Sequence, residues 1–237
     1  MSRLGIALRL EVTLQYRYRF LHAGIFSGLI WLALLLPMPA DLRSAAEPYV
    51  IIGDLSIIGF FFIAGAVYFD KGERTVRALV ASPLRFGEYL AAKVALLTAL
   101  SLLVALVVAT VTHGLDYHLG YLVAGVLLGT VVLLLASFIS ALPFNSISDW
   151  FLPSMLPLTL LLVPPIFHYV EVWQPAWIYL VPTLGPLNFL GAAFDQKTLA
   201  GWEIAYGIGY PMVVVLGMYL VAKRMFRRYV VARMGGA

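Results

Sequence analysis

The sequence predicts an all-α membrane protein of one polytopic domain, residues 1–237, with six transmembrane helices and both termini in the cytoplasm. Three observations predict it. The chain is 62% hydrophobic and only 12% charged, against about 25% charged in an ordinary soluble domain, and its mean hydropathy is +0.93. Its apolar residues gather into six runs, each of roughly the 20 residues that a bilayer crossing needs. Fourteen of the sixteen Lys and Arg lie on one side of those runs, and the positive-inside rule makes that side cytoplasmic. The pI near 9.3 is then a topology charge rather than a nucleic-acid surface. With no cysteine in the chain, disulfides, thiolate metal sites and thiol catalysis are excluded.

The first element, residues 1–19, mixes Leu4, Ala7, Leu8, Val12 and Leu14 with Tyr16, Tyr18 and four arginines. That composition predicts an interfacial helix along the inner leaflet, anchored by Arg3, Arg9, Arg17 and Arg19. The arginines, Glu11 and the length of the following run fit a cleavable signal peptide poorly, so residues 20–38 are read as a retained first span. Further spans fall at 49–69, 92–112, 120–142, 151–170 and 204–221. Gly24-x-x-x-Gly28 and Gly125-x-x-x-Gly129 permit close helix approach, either within the chain or at a dimer seam.

Span two contains one charge, Asp54. An ionisable group at membrane depth is a functional candidate; snorkelling or a pair with Arg43 is the alternative. Phe60 and Phe61, followed by Phe62, could line a hydrophobic substrate path or simply pack. Pro153, Pro157, Pro164 and Pro165 predict a kinked or broken fifth span, with His168 near its outer end. Residues 171–203 are too apolar for an ordinary outer loop and too rich in Pro and Gly for a full span. They read as two short re-entrant helices divided near Pro182-Thr183-Leu184-Gly185-Pro186, with Trp173, Trp177 and Tyr179 at headgroup depth.

Little in the sequence is catalytic. It has no phosphate-binding loop, no H-E-x-x-H and no G-x-S-x-G. His113, Asp116 and His118 share one outer turn, where a solvated tip is a simpler reading than a metal site.

The patterned charge lies in the cytoplasmic loop 70–87 and its continuation, D-K-G-E-R-T-V-R-A-L-V-A-S-P-L-R-F-G-E-Y-L-A-A-K. Val76, Leu79 and Val80 make an apolar stripe at helical spacing, decorated by Glu73, Arg74 and Arg77. Ser82-Pro83 reads as an N-cap with proline at the first helical position, restarting the chain towards Glu88 and Lys93. This stretch resembles the E-R-T…S-P…E-Y-L…K pattern of type-2 ABC transporter permeases. L-I-W-L-A-L-L-L-P-M-P, A-E-P-Y-V and L-G-A-A-F-D-Q extend the likeness, over nearly the whole chain, to the actinobacterial fluoroquinolone export permeases.

The resemblance implies the permease half of an ATP-driven exporter of hydrophobic or amphiphilic compounds in the bacterial cell membrane. It implies a second permease chain, identical or sister, and separate P-loop ATPase subunits that hold ATP and Mg, so that this chain is no enzyme itself. Glu73 and Arg74 match the family pattern and are expected to couple to the ATPase; Val76 and Leu79 follow from periodicity, with Arg77 beside them. Apolar anchors plus charges that fix register suit a docking helix, although charges of this kind also serve merely to hold a loop at the surface. The rival readings are a secondary transporter, which would use several buried acids or an inverted repeat, a structural subunit, and an intramembrane enzyme.

Overall fold

The computed structural model describes residues 3–72 and 85–231, and among them there are helices and no strand. The coupling candidates Glu73, Arg74, Val76, Arg77 and Leu79 lie outside the described residues. Five helices are long and apolar enough to cross a membrane, and a bent helix pair at the N-terminus makes a sixth when it is counted as one span. The protein is a multi-pass membrane protein.

Helices α1 (Arg3–Arg17) and α2 (Phe20–Leu35) form that pair, meeting at 62° through Arg19, whose φ is +60°. Sixteen residues of α2 rise about 24 Å, short of a hydrocarbon core of about 30 Å. The first span thus ends earlier than residue 38, because Pro37 and Pro39 follow within one turn. Both Gly-x-x-x-Gly pairs pack within the chain. A Cβ at Gly24 would meet Leu100 and one at Gly28 would meet Val104, while Gly125 and Gly129 abut Pro186.

Helix α3 runs over Ala40–Gly72, beginning nine residues before the predicted span. Its middle, Ser56–Phe62, is π-helical, and there Gly59 brings α3 onto α5 (Leu119–Ala141), with Leu133 Cβ 3.3 Å and the Thr130 carbonyl 3.4 Å from a Cβ placed on it. Ser137 of α5 donates its hydroxyl to the Phe60 carbonyl. Helix α4 spans Phe86–His113. Arg85 before it is extended and donates its backbone N–H to Glu88 Oε2 at 2.8 Å. The helix that carries Lys93 therefore starts at Phe86, capped by Glu88, while Ser82-Pro83 lies outside the described residues.

Helix α6 (Ile147–Tyr169) is continuous despite its four prolines, so of the two expected outcomes, a kink or a break, the break does not occur. Proline deprives the carbonyl four residues back of its donor, and Pro164 and Pro165 together deprive Leu161 of both its i+3 and i+4 donors. Thr183 supplies the missing donor, since its hydroxyl bonds the Leu161 carbonyl. The same device recurs in α3, where Pro48 frees the Ser44 carbonyl and the Gln196 amide donates to it.

After α6 come a 3₁₀ turn, Ala176–Leu180, and α7, Leu184–Ala193, every residue of which is buried. These are the two short helices expected in 171–203. α8 follows as Gly201–Phe226, most of its surface unoccupied by the rest of the chain. α3 and α5 form the middle of the protein. One apolar cluster joins them to α2, α4 and the inner end of α8, the other to α6 and α7.

Candidate functional site

Three polar clusters interrupt this apolar body. At the inner end, Lys93 of α4 is wholly buried. Its Nζ lies 2.9 Å from Asp70 Oδ2 of α3, and 3.0 and 3.2 Å from the two Glu11 oxygens of α1. Tyr89 donates its hydroxyl to the same Asp70 Oδ2 at 2.7 Å, and Lys93 Nζ lies 5.1 Å from the Tyr89 ring centroid. Glu11 and Asp70 are also buried. One ammonium thus serves two carboxylates, in a medium where an unpaired charge costs several kcal/mol.

The positive-inside count includes Lys93, which the structure removes from solvent; thirteen basic residues remain on that side of the spans. The signal was present in sequence. Glu11 is the one acid among the first forty residues, and it falls on the α1 face with Ala7, Leu14 and Gln15 that is buried. The rest of the helix surface leaves Ile6, Leu10 and Val12 exposed beside exposed Arg9 and Arg17, with Leu4 exposed at the helix start, the pattern an interfacial helix offers to lipid. Arg3 begins this helix, Arg17 ends it, and exposed Arg19 stands at the bend before α2.

Lys71, adjacent to Asp70, has a different task. Its Nζ donates to the carbonyls of Ala141, Leu142 and Phe144 at 3.1, 3.1 and 2.7 Å, capping the C-terminal end of α5, where a cation is favoured.

The second cluster is at membrane depth. Asp54 is buried, and its Oδ1 accepts from Ser27 Oγ at 2.5 Å and Trp31 Nε1 at 2.9 Å. Both partners come from α2, and neither is Arg43, so the alternative of a pair with Arg43 is not the arrangement formed. Asp54 Oδ2 has no hydrogen-bond partner. Phe60 has no exposed surface and stacks on Trp150 with centroids 5.7 Å apart. It is a core residue rather than a path lining. Phe61 is partly exposed and meets the edge of Trp150 at 6.1 Å.

The third cluster is at the outer end and divides the histidines among separate partners. His113 Nδ1 lies 2.9 Å from Glu47 Oε2, a carboxylate with no exposure. His118 Nε2 lies 2.9 Å from Asp195 Oδ1, both well exposed. No metal-holding group of three or more His, Cys, Asp or Glu occurs among the described residues. His168 packs its ring against Tyr179 at 5.5 Å, and its Nδ1 is buried without a hydrogen-bond partner. Trp173 and Trp177 are half-exposed and stand edge to face at 5.3 Å. Asp54, His168 and Phe61 therefore do not converge on one site, since each has its own local partners.

Beside the inner cluster, α4, α5 and α8 enclose an apolar groove of about 600 Å³, lined by Leu90, Val94, Val131, Leu135, Leu216 and Tyr219 among others. Its volume is that of a small-molecule site, typically about 300–1,000 Å³.

Comparison with known proteins covers the whole of this architecture. Residues 2–234 match a family described as the fluoroquinolones export permease protein family. Two fluoroquinolones export permease proteins of Mycobacterium tuberculosis, from the CDC 1551 / Oshkosh and ATCC 25618 / H37Rv strains, are each 58% identical over 235 residues, covering 99% of both chains. The chain therefore belongs to the fluoroquinolones export permease protein family.

Proposed function

We propose that this chain is the membrane subunit of an exporter that carries amphiphilic aromatic compounds of the fluoroquinolone kind out of the cell. In this reading ATP is hydrolysed, with Mg, on separate P-loop ATPase subunits docked at the cytoplasmic segment 70–87, and a second permease chain completes the path. The observation that carries it is the 58% identity over 99% of both chains to proteins named for that export. The 237 residues contain no phosphate-binding loop, so the energy of an ATP-driven cycle has to enter from a partner. The apolar groove beside α8 supports an amphiphilic cargo, because its walls supply apolar area and almost no hydrogen bonds.

A second reading, exchange against protons, is favoured by the burial itself. Sequence suggests a single intramembrane acid, whereas the structure buries Glu11, Glu47, Asp54 and Asp70, three of them on α3. One experiment separates the two. Cells expressing the exporter are loaded with a fluorescent fluoroquinolone, and efflux is followed after ATP is exhausted with the proton gradient kept, then with ATP kept and the gradient collapsed. The ATP-driven reading expects efflux to stop in the first condition and persist in the second, and the reverse outcome sinks it.

A further inference from the structure

We propose that Lys93 is a positioning residue for the export cycle, holding α1 and both roots of the cytoplasmic segment as one moving unit. The inference deepens the ATP-driven reading and rests on it. Asp70 lies in the last turn of α3, at the start of the cytoplasmic segment 70–87, and Lys93 about two turns into α4, just after it. Their contact at 2.9 Å closes the base of that segment, and Glu11 at 3.0 Å joins α1 to the closure. The ends of α3 and α4 that border the segment are thereby joined to each other and to α1.

Two further contacts radiate from the same place. Tyr18, at the α1–α2 bend, stacks on Phe69 of α3 with centroids 4.6 Å apart. The Tyr89 ring meets Phe226 at the inner end of α8 at 5.9 Å. The unit thus touches the four elements α1, α3, α4 and α8 at one level.

The chemistry suits a latch better than a rivet. A buried ion pair is a poor stabiliser, since apolar residues of the same volume are often as good or better. Here one ammonium stands nearly equidistant from two carboxylates on different helices, so it can lean towards either as α1 and α3 shift. An apolar core at this level would hold the helices but would not register their relative position.

The test uses the exporter with its ATPase in proteoliposomes. Losing Lys93 alone strands two buried carboxylates, so the decisive variant is the neutral triad Glu11→Gln, Asp70→Asn, Lys93→Met, which removes every charge at similar volume. Drug transported per ATP should fall about tenfold, within the 5- to 150-fold range of ordinary coupling energies, while thermal stability stays at or above that of the parent. Lys93→Arg in the parent should keep transport per ATP within about twofold.

A second readout does not need ATP. The chain has no cysteine, so spin labels at Leu10→Cys, on the exposed face of α1, and Gly72→Cys, where a Cβ meets nothing within 4 Å, report one distance. Its distribution should be narrow in the parent and broaden in the triad. Unchanged transport per ATP in the triad, an unchanged label distance, or a loss that merely tracks the amount of folded protein would each overturn the proposal. If the parent complex hydrolyses no ATP, the ATP-driven reading falls by itself, and the label distance still decides the latch.

Discussion

Thr183→Val tests how a helix with four prolines stays whole. Val keeps the shape of Thr and loses its hydroxyl, whose bond goes to the Leu161 carbonyl. With Pro164 and Pro165 at the i+3 and i+4 positions, that carbonyl loses its donor. Thr183 has no exposed surface, so water does not readily replace it. Interhelical hydrogen bonds in membranes average about 0.6 and reach about 1.7 kcal/mol, and a buried group left unpaired costs about 1–3 kcal/mol. A loss of about 1–2 kcal/mol follows, read as a fall in Tm of roughly 2–8 °C for a chain of this length. The diagnostic is the second variant. Pro165→Ala restores an N–H that can reach Leu161 within the helix, so Thr183→Val should cost little in that background. Thermal unfolding of the four proteins in detergent gives a double-mutant cycle with an expected coupling of about 1 kcal/mol. Equal costs of Thr183→Val in both backgrounds would refute the reasoning.

Three other outcomes are expected. Gly185→Ala puts a Cβ 2.6 Å from Gly207 Cα and 2.9 Å from its carbonyl oxygen; backbone cannot rotate away, so α7 and α8 must part at a cost of about 1–3 kcal/mol or more, whereas Gly209→Ala, with open space around it, should gain about 0.5–1 kcal/mol from helix propensity, both read by thermal unfolding. Lys71→Met removes three bonds to the end of α5 and should cost about 1–2 kcal/mol, with faster amide hydrogen exchange at 139–144; unchanged exchange there counts against the cap. Asp54→Asn keeps the acceptor for Ser27 and Trp31 but removes the buried charge, so stability should hold or rise while resistance to cationic fluoroquinolones falls relative to neutral analogues; identical resistance profiles would leave Asp54 a packing residue.

How far the sequence carries depends on the range of each interaction. The spans were legible because hydropathy is a property of local stretches. Two short helices in 171–203 were legible from Pro and Gly for the same reason. Lys93 was not, because a lysine at a span end looks identical whether it faces water or two carboxylates, one of them 82 residues earlier. Arg43 was the nearest cation to Asp54 by chain position, yet Ser27 and Trp31 on the neighbouring helix reached it first. The prolines of α6 misled in an instructive way. They do remove donors, as expected, but the break follows only if nothing else donates, and Thr183 sits on a different element.

The two ends of the protein are therefore joined by different kinds of bond, and the difference bears on how a cycle could run. Towards the outer side, α6 is tied to the 181–184 corner and α3 to the chain after α7 by neutral donors on proline-freed carbonyls. Breaking the bond of buried Thr183 leaves an unpaired group, whereas exposed Gln196 can exchange its bond for one to water. α7 is buried over its whole length and pressed onto α5 at Gly125 and Gly129, which makes that end a body that moves together or not at all. Towards the inner side, Lys93 has two acceptors on two helices, and a shift that lengthens one contact can shorten the other. A small shift between α1 and α3 thus leaves the three helices joined where the cytoplasmic segment begins and ends, and motion of that unit is carried towards the outer body by α3, with its π-helical middle at Ser56–Phe62, and by α4.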